Sequence, residues 1–507
     1  MAGSSTNLPA VVFYVDIQAT NPVTPYASWS TAATNIQVAV DVATNGDLVW
    51  VNDGIYQTGW QAAQETQVSG VNLKIILTTN RLFLNKPLTV QSLHGPQFTT
   101  IDGGGIYRCA YLTNGAILSG FTLTHGLAGY LVTNQNIRTG GISITTNADD
   151  GGGAYAPSGF MDNGSWLSNC LVTGNVATGN GGGVYGCHVV QGVISNNVAV
   201  SGGGAYAAKL VNCVVIGNAA QTNISVSSSP FYSNVTPAAG GGLYLGTATN
   251  CLIIDNSAYQ GGGVYGSYLV NCTAVSNSAT VAGGAYLSTS SAQNCLVYYN
   301  RATTGANILA TNFYGNYCCT YPLPTSGTGN ITNEPLFLDL VNGNFQLAAN
   351  SPCINAGSHV ADGSGTDLAG LPRVTGGTVD IGAYEYPAPT SVLSYAWAQQ
   401  YGFPTDGSMD FTNLNGTVFN VYQDWVAGLN PTNPASILAM LPPTHGAGYI
   451  WVRWQSVSGR NYFIQRSSDL TGGFVTIQTN VAGVAGTATY LDAPTNSGPF
   501  YYRVGVQ

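Results

Sequence analysis

GGGVYGCHVVQGVISNNVAVS (181–201), GGGAYAAKLVNCVVIGNAAQT (202–222), GGGLYLGTATNCLIIDNSAYQ (240–260) and GGGVYGSYLVNCTAVSNSATV (261–281) repeat one pattern of 21 residues. The period holds once an insertion at roughly 221–238 is set aside. A unit this short cannot bury an apolar face alone, so it must stack on its neighbours as a solenoid.

Each column of the repeat has its own chemistry. Glycine fills the first three positions, where a sharp corner needs positive φ and close backbone approach. The fourth is always apolar. The fifth is Tyr155, Tyr185, Tyr206, Tyr244, Tyr265 and Tyr286, with an outlying copy at Tyr107. Cysteine recurs at 170, 213, 251, 272 and 295, replaced once by Gly192, and asparagine at 175, 197, 218, 256, 277 and 300. Short β-branched runs bounded by Gly and Asn are strands, and this much glycine excludes helices. Stacking at about 4.8 Å per rung puts like on like, so the asparagines should form an amide ladder at a corner. The pattern predicts an all-β chain, a right-handed parallel β-helix over 47–386.

Around it, 1–46 reads as a strand and a capping helix. That helix spans 30–43, with Ile36, Val40 and Ala43 on one face and Thr31 or Thr34 as cap. Residues 387–436 form a linker with a second small unit, and 437–507 alternate as a small antiparallel β-sandwich.

Of 507 residues only 7% are charged, the net charge is −9, and Lys74, Lys86 and Lys209 are the lysines. Nucleic acid would need a basic footprint that this chain lacks. No apolar run reaches the length of a membrane span. The apolar run at 11–15 is too short for a signal-peptide core, so a secreted, mature chain is inferred from the class alone. The cysteine column reads as buried free thiols, because parallel side chains at rung spacing hold Cβ atoms too far apart to bridge.

YVDIQATNP (14–22), ATNIQVAVDVATNGDLVWVNDGIYQ (33–57), GFTLTHG (120–126) and the GGGxY…NCxxxxN coils resemble secreted bacterial parallel β-helix proteins. Among these are pectate-lyase-like folds and chlamydial polymorphic outer membrane protein repeats. In LSGFTLTHG (118–126), His125 takes the asparagine position. SPCINAGS (351–358) and DLAGLPRVTGGTVDIGAYEY (367–386) resemble the end of choice-of-anchor Q proteins. The resemblance implies the fold and an extracellular or cell-surface place; the scaffold serves lyases, hydrolases, epimerases and adhesins alike. Asn413, Asn415 and Asp424 resemble a dockerin-like calcium loop that could draw on Asp406 or Asp410. Val418 stands where that loop needs glycine, which also fits a metal-free remnant. The last segment resembles fibronectin-like modules.

Chemistry is expected where ionisable groups break a column. His188 and Lys209 share the eighth column on consecutive coils, with Thr247 and Tyr268 below and a long excursion (156–168) above. Two adjacent cations lower each other's proton affinity, which suits a general base. This points to β-elimination of a uronate polysaccharide, an acidic partner. His188 would act as base, Lys209 or Arg138 would neutralise the carboxylate, and Tyr206 would donate to the leaving oxygen. Tyr155, Tyr185, Tyr244, Tyr268 and Asp162 would hold the sugar, although the tyrosine column reads first as stacked packing and second as a sugar platform. Asp149 and Asp150 could hold calcium, alone or with Asp162. The same His–Lys pair also fits an ordinary solvated face, which leaves a non-catalytic adhesin as the rival. A glycoside hydrolase, needing two spaced carboxylates, has less support.

Overall fold

The computed structural model describes residues 10–69, 72–113, 115–136, 142–148, 150–157, 164–221, 223–226, 233–288, 290–310, 314–359, 365–414, 416–446, 448–495 and 498–507. They fall into two compact units. The first holds 1–335, 357–373 and 381–385, and the second 336–356, 374–380 and 386–507.

The first unit is a parallel β-helix. One coil runs Lys209–Val211, Val214–Ile216, Ala219–Ala220, Leu243–Tyr244, and each piece pairs in parallel with its counterpart one coil away. The coils build an eleven-stranded sheet from Val12–Val15 to Tyr314–Asn316 and a ten-stranded sheet from Gly54–Tyr56 to Cys319–Thr320. A third sheet carries the tyrosine column. Alternate residues point inward, so Val189, Leu210, Ala248 and Leu269 from one sheet meet Ile194, Val215, Ile253 and Ala274 from the next in a single apolar core.

Corners follow from the asparagines and glycines. Asn175, Asn197, Asn218, Asn256, Asn277 and Asn300 form the expected ladder, with each Nδ2 donating to the next Oδ1 at 2.9–3.0 Å. Each Nδ2 also donates to a strand carbonyl of the coil before, as Asn256 does to Val215 at 2.9 Å. In the glycine triplet only the first residue has positive φ, +66° at Gly181 and +60° at Gly261. The other two are glycine because a Cβ would strike carbonyl oxygens of neighbouring coils.

The thiol column is as expected and longer. Cys213, Cys251, Cys272, Cys295 and Cys318 make a continuous file, which Gly192 separates from Cys170. All ten cysteines are free and buried. Burial pushes the thiol of Cys170 up to about 11 and that of Cys187 up to about 12. The native protein should therefore resist thiol reagents, whereas denaturation without reductant should release ten titratable thiols. A count near zero would overturn the free-thiol assignment.

Four local features differ from expectation. The capping helix is Ile36–Val42, shorter than 30–43, and its cap is Asn35, whose side chain accepts from Gln37 N at 2.8 Å. Ile36, Val40 and Ala43 are buried in the core as expected, and Ala39 joins them. Strands Gln61–Ser69, Asn72–Leu84, Leu127–Asn136 and Ile142–Ala148 pair antiparallel, an extension added to the early coils. Register puts Tyr111, not Tyr107, opposite Tyr155, and Leu123 opposite Val172. Gly126 therefore takes the asparagine position and His125 the left-handed corner before it, at φ 50°. Finally, 357–359, 365–373 and 381–385 lie along the later coils. Ser358 and Asn294 exchange two hydrogen bonds (2.9 and 2.7 Å), and Asn250 donates to Thr366 O at 2.8 Å.

In the second unit, helices Tyr395–Gln400 and Val421–Ala427 precede two three-stranded antiparallel sheets that close over Val452, Trp454, Tyr462 and Ile464. This is the small β-sandwich expected from the alternation.

Candidate functional site

The parallel register aligns Trp166, His188, Lys209, Thr247 and Tyr268 on one outward file of the eleven-stranded sheet. Ser291 and Tyr314 continue it. Successive members stand one rung, about 4.8 Å, apart. Lys209 is exposed, and Tyr268 and Tyr314 are 49% and 69% exposed. His188 is not: the Trp166 ring meets it edge-on at 4.7 Å, and the histidine is 8% exposed. The adjacency of His188 and Lys209 was legible in the sequence, but Trp166 was missed because the 156–168 excursion hid its register.

Around the next corner runs the tyrosine ladder. Tyr185, Tyr206, Tyr244, Tyr265 and Tyr286 stack at 4.9–5.1 Å with interplanar angles of 3–12°. Tyr155 joins at 5.1 Å and 20°. Each inner ring has both faces covered by its neighbours, so the ladder offers edges and not stacking platforms. The expected role of Tyr155, Tyr185 and Tyr244 as sugar platforms therefore lacks free faces. Burial pushes the Tyr185 phenol up to about 12 and raises Tyr155, Tyr206 and Tyr244 as well, helped by charged or phenolic neighbours. At neutral pH Tyr206 is thus a protonated donor, the state its assigned role needs. At the early end the buried Arg108 guanidinium lies 4.6 Å over Tyr155 and donates to Asn80 Oδ1 and Gly151 O (2.8 Å each).

Arg138, Asp149, Asp162 and Asn415 lie outside the described residues. Asp150 Oδ1 accepts from Asn180 N at 2.6 Å, and its carbonyl accepts from Arg108. The buried Asp410 carboxylate accepts from Ser391 Oγ (2.6 Å) and Val392 N (2.9 Å). Asn413 bonds Gly416 N and Thr417 O within its own turn. Asp424 is buried, and burial raises its carboxyl. Among the described residues, no three His, Cys, Asp or Glu side chains converge as metal ligands do.

No family model and no curated protein matches the chain. Solved structures with a likeness include pectate lyase Pel9A, 14% identical, covering 74% of this chain and 96% of that one, with a TM-score of 0.40. A rhamnogalacturonan lyase is 13% identical over 71% of this chain and 99% of that one, TM-score 0.33. Pectin methylesterase PemA from Erwinia chrysanthemi is 8% identical over 62% and 90%, TM-score 0.28. At these values the likeness says nothing of activity, and the fold rests on the strand registers.

Proposed function

We propose that this chain, as a secreted or cell-surface protein, binds a uronate-containing polysaccharide along the outward file of the eleven-stranded sheet and cleaves it by β-elimination. The observation that carries the reading is a cation, Lys209, set one rung from His188 in a file that also carries the partly exposed side chains of Tyr268 and Tyr314. Aromatic rings stack on sugar faces, and an exposed ammonium suits a sugar carboxylate. At 0.15 M salt the global charge is screened beyond about 8 Å, so the local cation dominates. On this reading Lys209 neutralises the carboxylate, His188 takes the C5 proton and the Tyr206 phenol protonates the leaving oxygen.

One observation favours a second reading. His188 sits under Trp166, where reaching a C5 proton requires the indole to swing aside. If the indole stays, the file holds polymer without cutting it, as an adhesin would. Calorimetric titration with polygalacturonate and alginate tests the binding. Lys209→Ala should weaken it by roughly tenfold or more, with a loss that shrinks at high salt. Unchanged affinity would sink the file. His188→Ala then separates the readings. As the base it should cost about 10²–10⁴ in turnover while affinity holds.

A further inference from the structure

The early coils hold a histidine placed better for proton transfer than His188. His125 Nδ1 lies 3.1 Å from Asp102 Oδ2, with the histidine side chain 65% exposed and the aspartate 16%. A carboxylate only accepts, so Nδ1 carries the proton and Nε2 is left as the basic atom. Asp102 is itself fixed, because its Oδ1 accepts from Gly104 N at 2.7 Å. The backbone turn that carries Asp102 is tied to the histidine's coil through Gly105 N to His125 O at 2.7 Å. A second couple, His94 Nδ1 to Asp53 Oδ1 at 2.9 Å, has both side chains about half exposed, which makes it the looser of the two.

Beside this couple stand the parts that would hold a carboxylated sugar. Arg81 Nε donates to Asp102 O at 2.8 Å, its Nη1 to Gly59 O and its Nη2 to Gly103 O at 3.4 Å. A guanidinium has about five N–H donors, so two remain for a ligand carboxylate. The Arg81 guanidinium lies 4.7 Å over Tyr107, and Tyr107 stacks at 6.0 Å and 9° on Trp60, which is 53% exposed. The corner that His125 occupies is taken by Gly174, Asn196 and Gly217 on other coils, so the fold has no need of an imidazole there.

We propose that Asp102, His125, Arg81 and Trp60 form a proton-transfer site for a uronic-acid sugar, separate from the Lys209 file. The proposal rests on the acidic-polysaccharide reading but not on His188 as the base. The sugar stacks on Trp60 and its carboxylate pairs with Arg81. Neutral His125 Nε2 takes the C5 proton, the freed electron pair becomes the C4=C5 double bond, and the C4–O bond breaks. The leaving oxygen takes a proton from water, and the imidazolium returns its own to solvent. Asp102 is a positioning residue.

The test uses the full chain with tri-galacturonate and tri-guluronate, measuring affinity by calorimetry and unsaturated product by its ultraviolet absorbance. His125→Asn is safe for the fold, since Asn196 holds the same corner at φ 54°. Made in the His188→Ala protein, so that the Lys209 file contributes no product, it should lower the remaining product release by about 10²–10⁴ while affinity stays within about threefold. Trp60→Ala should weaken affinity at least about tenfold. Asp102→Asn should lower turnover with little change in affinity, and His445→Gln serves as the control. Full turnover by His125→Asn, full affinity in Trp60→Ala, or a parent that binds the trisaccharides and releases no product each overturns the site. The Lys209 file fails separately, when Lys209→Ala binds polymer as tightly as the parent.

Discussion

Asn256→Ala should destabilise the coils by about 4 kcal/mol, far more than removal of one surface amide. Its Nδ2 donates to Asn277 Oδ1 (3.0 Å) and Val215 O (2.9 Å), and its Oδ1 accepts from Asn218 N and Nδ2 (2.9 Å each). The side chain is wholly buried. Alanine deletes all four bonds and strands partners where water cannot reach, at about 1–3 kcal/mol for each orphaned group. In a solenoid each repeat contacts only its neighbours, so the damage should stay local. Denaturant unfolding measures the loss, and hydrogen exchange should show it centred on the coils of Asn218 and Asn277. A change below about 1 kcal/mol would mean that the ladder is ornamental.

Gly262→Ala should cost at least about 3 kcal/mol or prevent folding, whereas Gly261→Ala should cost about 1–2. The two glycines are adjacent and the difference is geometric. A Cβ at 262 would sit 2.6 Å from Gly283 O and closer still to Ser278 O, both backbone atoms of the next coil. Neither can move without parting the coils. Gly261 has φ +60°, yet the next coil already holds Ala282 in the same place at φ 58°. A Cβ at 261 would meet Val264 O closely, but that contact lies within its own turn, and the same turn one coil on accommodates the Ala282 side chain. Thermal unfolding of the two variants side by side decides the matter, and equal losses would refute the separation of roles within the triplet.

Legibility followed repetition. The asparagine ladder, thiol file and glycine corners were readable because each column recurs on many coils, so a single physical cause explains it many times. Positions written once were not. Gly103–Gly105 looks like a triplet, but it belongs to a longer turn, so the ladder position falls on Tyr111 rather than Tyr107. His125 was displaced by one residue for lack of a second copy to fix its register. A one-residue slip in a strand-like segment changes which face a side chain meets. That slip concealed the Asp102 couple, since the partners are 23 residues apart and meet only through stacking of coils. The same limit applies to His188. Its column predicted the neighbour Lys209 correctly, but exposure depends on Trp166, which returns from an excursion of irregular length.

The most direct test of the functional account is the unsaturated-uronate absorbance of the full-length protein mixed with polygalacturonate, alginate, hyaluronan and chondroitin. The account predicts a steady rise with at least one polymer, slowed when Lys209 is replaced by alanine. A flat trace with all four, from protein that calorimetry shows to bind at least one of them, would contradict cleavage and leave a polysaccharide-holding surface in its place.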